Sequence, residues 1–186
     1  MKISIYTTLG LIIVSMFIGI NIGYFNNSEY RNNMYDKNSM DLGQADRKFD
    51  LRYINAMIAH HRGAVLLAEQ MGKNTTRPEM KSLSENILKD EPVAIDQLYK
   101  WKKDWYNDTK IVKDPKVANL GPVDDKSDLR FLNAIIYHHE QGIKMTKETH
   151  IKSSRVEILN NADAVEAFLT GGIETLKNLR KTWYNI

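Results

Sequence analysis

Residues 50–61 read Asp50-Leu51-Arg52-Tyr53-Ile54-Asn55-Ala56-Met57-Ile58-Ala59-His60-His61. Residues 128–139 read Asp128-Leu129-Arg130-Phe131-Leu132-Asn133-Ala134-Ile135-Ile136-Tyr137-His138-His139. Eight of these twelve positions are identical at an offset of 78. At the same offset Trp105-Tyr106-Asn107 returns as Trp183-Tyr184-Asn185, and Thr76-x-x-Glu79 returns as Ser154-x-x-Glu157. Across 50–107 and 128–185 there are 16 identities in 58 ungapped pairs. Three separate landmarks at one offset mark an internal duplication.

Each copy reads as two helices. Phe49, Tyr53, Ile54, Met57, Ile58, His61, Ala64, Val65 and Ala68 keep the three- and four-residue spacing of one apolar face. Gly72 and Asn74 stand where that helix can close, and Thr76-Arg77-Pro78-Glu79 predicts a capping box with proline in the tolerant first turn. The second helix carries Met80, Leu83, Ile87, Ile95, Leu98, Trp101 and Trp105. The third is expected over Ser127 to His150, and Ser154 opens the fourth. Neither hairpin can bury its own apolar face, so the two are expected to pair into an all-α four-helix bundle. The boundaries are repeat one at 46–107, a crossover at 108–125 with Pro115, Gly121 and Pro122, and repeat two at 126–186. Pro92, and Gly171-Gly172 opposite it, predict a loosening of the second and fourth helices at one level, either a simple bend or room for a ligand.

The N-terminal part differs in character. Ile3 to Phe25 runs for 23 residues without a charge, after Lys2. As a helix it would span about 34 Å, against a bilayer core of about 30 Å. Residues 1–25 therefore read as a retained transmembrane anchor or as a cleaved export signal. Either places the folded part outside the cytoplasm, membrane-tethered or secreted. Residues 26–45, polar and rich in Asn, read as a tether.

Composition narrows the chemistry. The 186 residues contain no Cys, which excludes disulfides, thiolate metal sites and a cysteine nucleophile. A net charge of +3 with mixed signs and no basic stripe argues against nucleic acid. There is no phosphate-cradling glycine loop, no HExxH and no nucleophile elbow. No Glu-x-x-His occurs, which argues against a di-iron carboxylate site. A non-enzymatic protein is the expectation.

Four of the five histidines form two dyads at equivalent places in the two copies. Adjacent helical residues point about 100° apart, so each dyad can send one ring to the bundle axis and one to a flank. Met57 lies three and four residues before His60 and His61, and Met145 lies seven after His138. His150 is eleven after His139, while Asp50 and Asp128 recur in the first turns. Imidazole with thioether and no thiolate suits copper in either oxidation state, with zinc, nickel or cobalt possible through imidazole alone. The candidate metal ligands are His60, His61, His138, His139, Met57, Met145, His150, Asp50 and Asp128. A metal ion for storage, delivery or tolerance is the expected partner. The competing expectation is a structural or protein-interaction module whose dyads are polar core elements or pH-sensitive contacts. For Asp50 and Asp128 the simpler role is an acid complementing a helix dipole. Whether the dyads act within one chain or across a homodimer is open at this level.

The same residues carry a family resemblance. The pattern Asp-x-x-Phe/Tyr-x-x-x-Met/Ile-x-x-His-His, with a following helix that ends in Trp-x-x-x-Trp, resembles the exported family called domain of unknown function 305. Asp50, Tyr53, Met57, His60, His61, Trp101 and Trp105 match in the first copy; the second matches less fully, through Asp128, Phe131, Ile135, His138, His139 and Trp183. The resemblance implies a ferritin-like four-helix bundle, secreted or membrane-tethered, some members of which bind copper through Met and His. It also implies a Gln-x-x-Glu-Ile step on the second helix. Here Glu91 and Ala94 precede Ile95, and Leu169 and Gly172 precede Ile173, so the acid is missing from its usual place in both copies.

Overall fold

The structure, a computed structural model, describes residues 42–186. The expected anchor at 1–25 and nearly all of the tether lie outside the described residues. Among the described residues, no helix is long and apolar enough to cross a membrane.

Four helices and no strand make up the described chain: α1 (Phe49–Asn74), α2 (Pro78–Tyr106), α3 (Ser127–Lys152) and α4 (Val156–Tyr184). α1 packs on α2, α3 packs on α4, and α1 meets α3 along the seam between the hairpins. The core falls into two apolar clusters whose membership gives the directions of the helices. One gathers the start of α1 (Phe49, Tyr53, Ile54), the end of α2 (Leu98, Trp101), the later part of α3 (Met145) and the start of α4 (Ile158, Ala162). The other gathers the end of α1 (Leu67, Met71), the start of α2 (Met80), the start of α3 (Phe131, Leu132, Ile135) and the end of α4 (Leu176). α1 and α3 are therefore antiparallel, as are the members of each hairpin. The order is up, down, down, up, with one long crossover, the connection found in ferritin-like bundles. That crossover is strapped along the bundle: Asp114 takes both the Nε and an Nη of Arg62 at 2.7 and 2.8 Å, and Gln70 bridges the Ala118 carbonyl and the Leu120 N–H, each at 3.1 Å.

The duplication reaches further than the twelve-residue motif. Leu42-Gly43 and Asp46 return as Leu120-Gly121 and Asp124, 78 residues on. In both copies the glycine has a positive φ, +71° and +73°, which a side chain would strain. The motif arginine clasps each loop. Arg52 donates to the carbonyls of Leu42 and Gln44 and to Asp46, and Arg130 donates to those of Leu120 and Pro122 and to Asp124. Leu42 and Leu120 are thereby sealed into the two clusters at 1% and 2% exposure. The sequence placed Leu42 in the tether and Leu120 in a plain crossover. The structure makes both of them core.

The helix starts also differ from expectation. α2 and α4 begin after Arg77 and Arg155, with no side-chain cap bond. The hydroxyls of Thr75 and Ser153, not those of Thr76 and Ser154, accept the N–H groups of Arg77 and Arg155, at 3.1 and 3.2 Å. Those arginines reach across to the other repeat. Arg77 pairs with Asp128 at 3.0 Å over the Trp183 ring, and Arg155 pairs with Asp50 at 3.3 Å over the Trp105 ring. α2 runs unbroken through Pro92, and α4 through Gly171-Gly172.

Leu42→Ala is expected to lower the unfolding free energy by about 2–5 kcal/mol in urea titration, as a buried leucine does, and Leu120→Ala by a similar amount. A loss at Leu42 of under about 0.5 kcal/mol, the scale of an exposed position, would remove it from the core.

Candidate metal centre

The dyads occupy residues 60–61 of α1 and 138–139 of α3, close to the midpoints of these helices. They form a polar waist between the two apolar clusters. All four rings are buried: His60 is 3% exposed, His61 9%, His138 1% and His139 7%. The His60 and His138 rings stack across the seam with centroids 3.8 Å apart and planes 20° from parallel. The dyads thus meet within one chain, and no second copy is needed to bring them together.

Glycine makes the space. A Cβ on Gly142 would lie 2.6 Å from His60 Nε2 and would collide with Leu169. A Cβ on Gly172 would lie 2.9 Å from the His139 ring. The room expected near Gly171-Gly172 is therefore occupied by an imidazole held close to the α4 backbone.

Each hydrogen bond at the waist says which nitrogen carries the proton. His60 Nε2 donates to the His138 carbonyl at 3.1 Å, which leaves Nδ1 of the neutral ring as a lone pair. His61 Nδ1 donates to Glu91, whose ionised carboxylate can only accept. His60 Nδ1, His61 Nε2 and His139 Nδ1 have no hydrogen-bond partner among the described residues. As placed, no three His, Asp or Glu side chains among the described residues are grouped closely enough to hold an ion.

The electrostatics follow from burial. Desolvation, with the neighbouring His61 adding to it, takes the His60 imidazole down to about 3. Desolvation takes His139 down to about 4 and holds His138 well below its ordinary value, with the adjacent rings adding to the effect on His138. For Glu91 burial alone would raise the carboxyl, but the adjoining imidazoles, His61 and its hydrogen bond foremost, outweigh it and hold the group below the ordinary range.

The other candidates lie elsewhere. Asp50 accepts from Ser153 Oγ at 2.7 Å and pairs with Arg155, while Asp128 pairs with Arg77. Each aspartate is ten residues, about 15 Å of helix, from its dyad. They join the two repeats to each other and lie too far from the dyads to share an ion with them. His150 is on the surface beside Asp163 and Glu166, at 3.4 and 3.6 Å. Met57 and Met145 are fully buried in the apolar cluster on one side of the waist. Glu91 was missed. Its signal lay in the stripe Met80, Ser84, Ile87, Glu91, Ile95, Leu98, where an acid takes a core position of α2.

Comparison with known proteins agrees with this architecture. Residues 50–126 match the family described as Domain of unknown function (DUF305). The DUF305 match takes in α1, α2 and the crossover and stops just before α3, so it covers the first copy, to which the second is tied by the 78-residue repeat. No curated protein matches the chain. Among solved structures, CopM in the Cu(I)-bound form is similar at a TM-score of 0.65 and 24% identity, over 73% of this chain and 97% of that one. CopM in the apo form is similar at 0.64 and 24% over 73% and 98%. The Cu(II)-bound form gives 0.64 and 22% over 73% and 97%. These likenesses show a shared fold.

Folded-state histidines held neutral make the bundle acid-sensitive. The unfolded chain takes up protons near pH 6.5, whereas the folded rings resist them down to about 3 for His60 and about 4 for His139. Their contribution is complete above pH 6.5 and is lost as the pH falls through that window, at up to about 1.4 kcal/mol per pH unit for each ring. The metal-free protein should melt well below its pH 7 temperature when scanned at pH 5. An equal melting temperature at both values would show the rings to be exposed.

Proposed function

We propose that the chain is a transition-metal-binding protein, with copper as its ion and zinc or nickel as the alternatives. It acts in storage, delivery or tolerance rather than in turnover, with the apolar N-terminal segment holding the bundle outside the cytoplasm. The observation that carries this reading is that the ring nitrogens His60 Nδ1, His61 Nε2 and His139 Nδ1, in the dry waist of the bundle, find no hydrogen-bond partner among the described residues. Buried polar atoms are nearly always satisfied, and each exception asks for an explanation. An ion accepting those lone pairs supplies one.

The donor set fits such an ion. Metal-ligating histidines commonly donate their second ring N–H to a carbonyl or a carboxylate, which fixes the tautomer and the orientation of the ring. His60 does so to the His138 carbonyl, and His61 does so to Glu91. Three neutral imidazoles suit copper, zinc or nickel. Capture of CopM, a protein with this fold, in Cu(I)-, Ag- and Cu(II)-bound forms supports the same class of ion.

One observation favours the second reading. The His60–His138 stack with its carbonyl bond is also a sound way to pack two polar rings in a core, as a structural or interaction module would.

Melting temperature with and without metal separates the two. Cu(II), Cu(I), Zn(II) or Ni(II) at a hundred times its dissociation constant should add about 2.7 kcal/mol of stability. The gain should disappear in the His60→Ala, His61→Ala double variant, each protein being compared with its own metal-free form. It should persist in His150→Ala. No gain with any of the four ions would favour the structural module.

A further inference from the structure

The two halves of the waist are not equivalent. On α2, Glu91 lies next to His61 and accepts its Nδ1–H. Seventy-eight residues on, α4 carries Leu169, which packs against Gly142 beside the His60 ring. The second dyad thus has a leucine where the first has a carboxylate. A second difference follows one turn along: Ala94 of α2 is answered by Gly172 of α4, and the His139 ring rests against that glycine. The first dyad has each ring tied by a hydrogen bond through one nitrogen, with His60 Nδ1 and His61 Nε2 left over. The second dyad contributes His139 Nδ1, and the ring of His139 is within electrostatic reach of Glu91.

We infer that Glu91 is the positioning residue of a single asymmetric centre. It holds His61 in the Nδ1–H form with Nε2 turned to the ion, while the second half lends a ring but builds no centre of its own. This rests on the metal-binding reading, and it adds to it a named residue, a fixed tautomer and a stoichiometry of one ion per chain. A carboxylate behind a ligating imidazole raises its basicity, and loss of such a group costs about 10–100-fold in metal affinity. Leu169 can do neither for His139.

The test uses the full-length protein. Long-range ¹H–¹⁵N correlation of the histidine rings in the metal-free protein reads the tautomer directly, and titration with Zn(II) and Cu(II), followed by native mass spectrometry, reads the stoichiometry. The expected results are the Nδ1–H form for His61 and one equivalent of ion per chain. Glu91→Gln should weaken binding at least tenfold with the stoichiometry still one, and Glu91→Asp should recover part of the loss. Two equivalents per chain, an Nε2–H form of His61, or unchanged affinity in Glu91→Gln would each overturn the inference. If Glu91→Gln fails to fold, the tautomer and the stoichiometry of the unaltered protein still decide it. Failure of the metal-binding reading looks different: no ion binds, or binding survives His60→Ala, His61→Ala, whatever the His61 tautomer.

Discussion

Where α1 crosses α3, two imidazole rings lie face to face, 3.8 Å between centroids, and the rest of the bundle is arranged around that contact. Apolar side chains fill the space on either side of it, so water does not reach the rings. A dry site is costly for polar atoms: each buried donor or acceptor left unmade costs about 1–3 kcal/mol. Among the described residues, ring nitrogens of His60, His61 and His139 in the waist are such atoms. The clusters around Leu98 and Leu176 must offset that cost for the metal-free chain to fold. The same cost is relieved when an acceptor of lone pairs enters, so the stability of the scaffold and its affinity for an ion are coupled through one set of atoms.

Glycine and proline inside the helices mean different things here. Gly142 and Gly172 are weak helix formers in mid-helix positions, and what each provides is the volume of a missing Cβ into which a histidine ring fits. Pro92 follows Glu91 directly and deprives α2 of one backbone donor, yet the helix continues past it. The carboxylate of Glu91 therefore sits beside a turn that is one backbone donor short, on the core stripe.

The bundle was legible because two signals agreed: the three- and four-residue spacing of apolar positions, and the 78-residue offset that doubled it. Whether the dyads pair inside one chain or across two was not legible, and the crossing of α1 and α3 decides it. What escaped was decided by tertiary context. Thr75 and Thr76 are adjacent hydroxyl residues, and only the fold chooses between them. The loop Leu42-Gly43-x-x-Asp46 was lost in polar flanking sequence, because its copy shares only short side-chain landmarks with it. Asp50 and Asp128 were readable as first-turn acids, but not as partners of arginines from the opposite repeat. Glu91 hid in the charged run Lys89-Asp90-Glu91, which resembles a solvated face unless the heptad stripe is followed through it.

The exchanged ion pairs, Arg77 to Asp128 and Arg155 to Asp50, have the form of an isologous interface: residue i of one hairpin meets residue j of the other, and j meets i. Two separate hairpins joined this way would form a symmetric pair, and every substitution would then appear twice. Covalent fusion through residues 107–126 lifts that restriction. Tyr53 could acquire a hydrogen bond to Asn161, 2.7 Å long, while the matching positions Phe131 and Leu83 stayed apolar. One chain can thus hold a carboxylate on one side of its axis and a leucine on the other, an inequality that identical subunits related by a twofold axis are denied.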